Sequence, residues 1–367
     1  MLELFRIHQR HASASVKIVN DEALPDSAPP TDVARRVLGR CCAMSSSSEP
    51  AAHRRPSPAA ILLVPVVVAL ALTLFAWPSA RLAPRDLPIG VAGAPAAAAA
   101  VEQRLAQREG AFEIKRYPDE AAARQAIEDR EIYGAFVATP GEAKVLVASA
   151  ASPVVAQTLT QAAAEGQAAP MPVEDVVPAS PRAAALPSSV LPLLIAGIVT
   201  GVASSLLASG VAGRAALVVT GSVLAGLVAT AIVQGWLDIV EGDWWANAAG
   251  LALTVAAIAS VVAGLNALLG PPGIAIAALT MVLVGNPFSG IASAPELLPQ
   301  PVGELGQLLP PGAGGNLLRS TGFFDGAAAG GHVGVLAAWV LAGLTLLFVA
   351  TLRDRKRAAS PQRGVTA

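Results

Sequence analysis

Five long apolar runs carry no Asp, Glu, Lys or Arg: approximately Ser188–Ala208, Ala215–Gln234, Ala246–Leu268 and Pro271–Ile291, then, after a loop, His332–Leu352. A bilayer core of about 30 Å takes about 20 helical residues to cross, so each run is long enough. Lipid offers the backbone no hydrogen-bond partner, which leaves the helix as the stable form for such a run. The competing reading, a soluble all-α core, calls for shorter helices that keep a polar stripe, and five uncharged runs of this length would be hard to solvate. Composition sides with the membrane, since 54% of the residues are hydrophobic and only 14% charged.

A further run precedes these. His53-Arg54-Arg55-Pro56 leads into Ala59–Trp77, which is apolar but for Pro65 and Thr73. Arginines ahead of an apolar segment also open cleaved signal peptides, but this core is longer than a usual h-region, and Trp77 stands where an interfacial aromatic anchors a spanning helix. The expectation is therefore an α-helical polytopic membrane protein with six transmembrane helices: 59–77, four within 188–291, and 332–352. With the amino terminus inside, the inner segments carry Arg54, Arg55, Arg214, Arg353, Arg355, Lys356, Arg357 and Arg363. The short outer loops carry only Arg319, and residues 235–245 hold Asp238, Glu241 and Asp243 with no base. This is the asymmetry of the positive-inside rule, and it puts the tails 1–58 and 353–367 in the cytoplasm.

Residues 1–43 show no sustained periodicity, and Met44 opens a polar leader, Ser45-Ser46-Ser47-Ser48-Glu49. Translation is expected to begin at Met44, with 1–43 an upstream extension of the gene model. The rival reading makes Thr31–Ala43 a basic amphipathic helix on the inner leaflet, with Val33, Val37 and Cys41 on one face and Arg35, Arg36 and Arg40 on others. Cys41 and Cys42 are the only cysteines. They have neither a metal-ligand spacing nor another thiol to pair with, so an extracytoplasmic domain must hold together without disulfides.

Between the first two spans lie residues 78–187, outside by this orientation and much richer in charge. Leu87–Val91 reads as a strand, Pro95–Arg108 as a helix with proline in its first turn, and Phe112–Tyr117 as an alternating strand. Asp119 caps a helix through about Arg130; Ile132–Ala138 and Lys144–Ser149 are strands about the turn Thr139-Pro140-Gly141-Glu142; Pro153–Ala164 is a helix. The order β-α-β-α-β-β-α predicts an extracytoplasmic α/β domain with a mainly parallel sheet, and Glu165–Pro187, rich in Ala and Pro, a stalk back to the membrane.

No catalytic, cofactor or metal site is expected in this domain. It has no His and no Cys, and ten Lys/Arg against thirteen Asp/Glu leave a charge of about −3, too slight to point to nucleic acid as a partner. A small-ligand site at the strand ends rests only on analogy with open α/β sheets. In the membrane, the polar residues Thr200, Ser204, Ser205, Thr220, Gln234, Asn247, Thr254, Ser260, Asn266 and Asn286 include no acid or base to serve as a proton relay. Gly197 and Gly201 form a small-xxx-small pair.

The segment 292–331 and the end of the run before it are dense in Gly and Pro, yet Leu297, Leu298, Leu305, Leu308 and Leu309 are too apolar for a free linker. Short helices at the outer interface, folded back on the bundle, are expected. The candidate motif residues are Asn286, Pro287, Ser289 and Gly290, then Pro310, Pro311, Gly312, Gly314 and Arg319, then Phe323 and Phe324. One span, a long α/β insert and a cluster of spans with this NPxSG…LPPGAGxxLLRS…FF loop before the last resembles bacterial type-2 ABC export permeases and their phage-infection-protein-like relatives. The resemblance implies a permease subunit in the bacterial cell membrane, working as a homo- or heterodimer with a separate ABC ATPase, and a structural or gating role for the loop. The chain has no Gly-Lys pair, so it carries no phosphate-binding loop of its own. No hydrolase motif can be assigned either, and His332 reads as an interfacial polar residue. The alternative function is a non-transporting membrane protein whose extracytoplasmic domain binds a partner or an envelope component. It gains weight from the small inner connections Ser209–Arg214 and Leu269–Gly270, which leave an ATPase little to push on.

Overall fold

The computed structural model describes residues 58–139, 142–164 and 171–359. The expectations for residues 1–43, for Thr31–Ala43 and for a start at Met44 lie outside the described residues. Helix α1 (Pro58–Ala80) is followed by an α/β domain in the order β1 (Leu87–Gly93), α2 (Pro95–Ala106), β2 (Phe112–Tyr117), α3 (Glu120–Glu128), β3 (Gly134–Thr139), β4 (Glu142–Val147), α4 (Pro153–Ala164) and β5 (Val173–Asp175). Asp119 caps α3 as expected: its carboxylate accepts from the Ala122 N–H at 2.8 Å, and Ala123, Ala126 and Ile127 form the buried face.

The sheet order is β2-β1-β3-β4-β5. Strand β1 lies parallel to β2 and β3, β4 runs antiparallel to β3, and β5 lies parallel to β4, so the sheet is mixed, with three of its four pairings parallel as expected and one antiparallel. Thr139 pairs with Glu142 across this antiparallel ladder, and two intervening residues are too few for the crossover a parallel neighbour needs. The expected stalk is corrected. Val173–Asp175 joins the sheet edge, with the Val176 N–H donating to the Val147 carbonyl at 2.8 Å, and Pro181–Ser189 is a 3-10 helix.

That 3-10 helix runs into α5 (Val190–Leu207), followed by α6 (Gly210–Val233), α7 (Trp244–Leu269), α8 (Pro271–Leu279) with a π-helical extension over Thr280–Gly285, a 3-10 turn Pro295–Leu297, α9 (Val302–Gln307), α10 (Pro310–Phe323) and α11 (Ala329–Ala359). Among the described residues four helices are long and apolar enough to cross a membrane: Pro181–Leu207, Gly210–Val233, Trp244–Leu269 and Ala329–Lys356. Pro271–Gly285 is a shorter apolar helix, and Pro65–Ala80 is an apolar stretch of α1. The run Pro271–Ile291 is thus not one continuous helix. Pro287 has no N–H to extend the ladder, and Gly290 turns the chain at φ +67°, a backbone conformation that disfavours a side chain.

Helix α7 is the hub, with α5, α6, α8, α10 and α11 all packed on it. Its most apolar stretch is 72% buried, against 22–28% for the other long helices, whose remaining apolar faces have no partner among the described residues. The Gly197/Gly201 spacing is a packing device: a Cβ at Gly197 would come within 2.6 Å of Ile258, and one at Gly201 within 2.7 Å of the Ala259 carbonyl. Ala208 and Ser209 join α5 to α6, and Gly270, at φ +72°, joins α7 to α8 alone.

The segment after α8 does fold back on the bundle, but it sinks into it instead of lying flat. Gly314 faces Thr254, Leu317 faces Gly250, and Gly322 approaches Asn247, so α10 runs antiparallel along α7. Glycines at 312 and 314 permit this, since a Cβ would meet the Gly306 carbonyl at 2.2 Å and Thr254 at 2.4 Å.

Candidate functional site

Parallel strands β1, β2 and β3 present their amino ends to the segment that follows α8. There Asp86, Pro88, Glu113, Ile132 and Tyr133 from the α/β domain, Pro295, Glu296, Glu304, Gln307 and Asn316 from the loop, and His332 of α11 enclose a cavity of about 570 Å³. Open α/β sheets usually bind ligands at the carboxyl ends of their strands. Here the cavity lies at the amino ends instead, which the loop covers.

Two clusters of apolar side chains weld loop and domain together. Phe324 is buried among Ala92, Ala123, Ile127 and Ile132; Ala294 and Leu297 are buried with Leu87, Ile89 and Phe136. Polar contacts line up beside them. Arg85 donates to the Leu297 carbonyl at 2.8 Å, Tyr133 Oη donates to Glu296 at 2.8 Å, and Ser152 donates to the Ser293 carbonyl.

Arg130 is the centre of this contact. It follows the carboxyl end of α3 at φ +59°, where glycine would be expected, and its guanidinium lies over the Phe324 ring, 5.2 Å from the centroid. It donates to the Asn316 carbonyl at 3.0 Å, to Asn316 Oδ1 at 3.3 Å and to Ser320 Oγ. From there the links run inward. Asn316 Nδ2 donates to Gln307 Oε1 at 2.6 Å, and Gln307 Nε2 donates to the Ser289 carbonyl at 2.9 Å. Burial lowers the Arg130 pKa, with Tyr133 and Glu296 opposing that shift; burial raises the Tyr133 hydroxyl, and the Glu296 carboxylate adds to the rise. Tyr133 is therefore a neutral donor, and Glu296 is an acceptor held in place by it.

The motif residues divide by position. Ser289 and Gly290 form the turn after α8, Ser289 Oγ donating to the Asn286 carbonyl at 2.7 Å, with Pro287 between them. Pro310, Pro311, Gly312 and Gly314 start α10, and Pro311 rests against Gly285, where a Cβ would come within 2.7 Å of the ring. Arg319, Phe323 and Phe324 close α10, and of these only Phe324 meets the α/β domain as a buried side chain. Arg319 is 3% exposed and donates to the Ile291 carbonyl at 3.0 Å, so its place in the charge count of the short outer loops is that of a buried group, not a surface one. None of the motif residues lines the cavity directly. Sequence reasoning missed Arg130, Tyr133, Glu296, Gln307 and Asn316; the one available signal was a bulky cation at a helix end that favours glycine.

Among the described residues no group of three or more His, Cys, Asp or Glu is placed to hold a metal ion. The cavity pairs guanidinium, carboxylate, phenol and amide groups, chemistry suited to holding a polar molecule in orientation. No protein-family model, curated protein or solved structure matches the chain.

Proposed function

We propose that the chain is the permease subunit of an exporter in a bacterial cell membrane, driven by a separate ATPase, with the cavity under the α/β domain as the outward chamber through which cargo leaves. The observation carrying this reading is that three distant stretches, 85–133, 295–316 and 328–332, build the cavity together. A domain that only captured a partner would need no such continuity with the bundle. The sequence resemblance and the apolar faces of the long helices point the same way. In this reading α1 and the stretch from α8 through Ile291 complete six crossings, both termini are cytoplasmic, and the α/β domain is extracytoplasmic.

The second reading, a non-transporting protein that binds an envelope partner, is favoured by the two-residue link Ala208-Ser209 and the single-residue link Gly270. They leave an ATPase little described surface to grip. Purification in mild detergent separates the readings. An ATPase that co-purifies and hydrolyses ATP faster in the complex supports export; isolation of the chain with envelope proteins and no ATPase would sink it.

A further inference from the structure

Helices α2 and α4 cover the same face of the sheet, opposite α3, yet each packs on the strands rather than closely on the other. Between them the fold leaves a pocket of about 230 Å³ that shares no residue with the polar cavity. Val101 and Leu105 of α2, Leu159 and Ala162 of α4, and Phe112 and Phe136 of the sheet wall it. Phe136 and Leu159 belong to the buried core of the domain, so the pocket reaches down to that core. A water takes ~30 Å³ of liquid and a methylene group about as much, so a chain of about eight carbons fills the space.

The polar side chains of the lining are three. Thr158 gives its hydroxyl to the Val154 carbonyl at 2.8 Å. The other two are cations, Arg104 in the last turn of α2 and Arg108 just past its end, both exposed to solvent. No acid among the described residues lines the pocket. A guanidinium fork holds a carboxylate through two parallel hydrogen bonds, and an apolar recess beside it selects a ligand that carries hydrocarbon. Charge complementarity thus sets the head of the occupant, and the volume sets its tail. We propose that this pocket binds a medium-chain carboxylate, its chain of about eight carbons between α2 and α4 and its carboxylate on Arg104. The site belongs to the α/β domain alone and requires neither an ATPase nor export, so it can fail while the export reading stands, and the reverse.

The test uses the full chain in detergent and an octanoate analogue that carries a photoreactive diazirine on its chain, with the labelled residues mapped by mass spectrometry and thermal unfolding followed in parallel. Labelling should fall on residues 101–112 and 158–162. Excess octanoate should reduce it about tenfold, while octylammonium, which has the chain without the anionic head, and acetate, which has the head without the chain, should not. Arg104→Glu, at an exposed position, should lose the labelling with the unfolding temperature unchanged. Ala162→Trp, which fills the pocket and leaves both arginines in place, should lose it as well; should that variant fail to fold, the Arg104→Glu result decides. Equal competition by octylammonium would mean a merely apolar recess and overturns the assignment, as does labelling confined to the long apolar helices or unchanged in the Arg104→Glu variant.

Discussion

Arg130 shows how one residue can be costly to its own backbone and still be worth keeping. A side chain in the left-handed region costs about 1–2 kcal/mol, which glycine avoids. Arg130→Ala should therefore lose both the fork onto Asn316 and Ser320 and gain nothing in the backbone, destabilising by about 1.5–3 kcal/mol, while Arg130→Gly should be about 1 kcal/mol less harmful. Chemical unfolding of the two variants in detergent checks the order; an alanine variant as stable as the glycine one would mean the backbone carries no strain. Asn247 is a second such residue. Fully buried, it donates to Gln234 Oε1 at 2.9 Å and to the Glu241 carbonyl at 2.7 Å, and accepts from Thr321 at 2.6 Å. Asn247→Leu would leave those partners unsatisfied, for an expected loss of about 1–3 kcal/mol that Asn247→Gln only partly restores. Neither role was legible from the chain alone. The sequence marks Asn247 as polar within an apolar run, but only the fold brings Gln234 and Thr321 to it from 13 and 74 residues away.

At the level of elements, what could be read was whatever depends on neighbours in sequence. The cap at Asp119, the antiparallel pairing of β3 with β4 and four of the five apolar runs within 188–352 are local patterns that stand close to where they were expected, while the fifth, Pro271–Ile291, leaves the helix before its end. Edge strand β5 and the descent of α10 depend on distant partners: β4 for the one, and α7 with its Gly250 and Thr254 for the other. Which of several equally apolar helices becomes the hub is likewise a property of their packing. Gly201→Val in α5 tests that packing, because a side chain there meets the Ala259 carbonyl and Val262; overpacking should cost about 1–3 kcal/mol and lower the unfolding temperature in detergent. The α/β domain offers a test of another kind on its surface. Lys144 lies 2.8 Å from Glu120 and 3.0 Å from Glu174, and Arg124 lies 2.6 Å from Glu174. The Lys144 hydrogen bond leads in lowering the Glu120 pKa, and the Arg124 bond leads for Glu174, both below the ordinary 4.5. Groups with lowered folded values stabilise fully above 4.5 and lose that contribution as pH falls through the folded value. All are 24–43% exposed, so water screens them and each pair is worth less than about 1 kcal/mol. Lys144→Met should flatten the decline in stability below pH 4.5, read from unfolding curves in acid, and change little at neutral pH.

For the whole molecule, contacts and charge divide the bundle into the same two ends. The loop touches the α/β domain through Phe324 and Leu297, and His332 at the head of α11 lines their shared cavity, so these parts lie at one end of the bundle. The foot of α6 meets the head of α7 there as well, through Gln234 and Asn247. Helix α7 is long enough to cross, which sends Gly270 to the opposite end, and the chain must return before α11 starts. The π-helical extension and the turn through Gly290 make that return without a continuous helix. The basic residues Arg214, Arg353, Arg355 and Lys356 then all fall at the Gly270 end, while Asp238, Glu241 and Asp243 fall at the other. A phosphatase reporter fused after Gly242 should be active only if that residue is outside the cell, and a fluorescent reporter fused after Arg214 or Arg357 should light only if those are inside. Activity after Gly242 together with fluorescence after the other two is the expected result. The reverse pattern would put the cavity in the cytoplasm and end the outward-chamber reading, even with every contact within the fold intact.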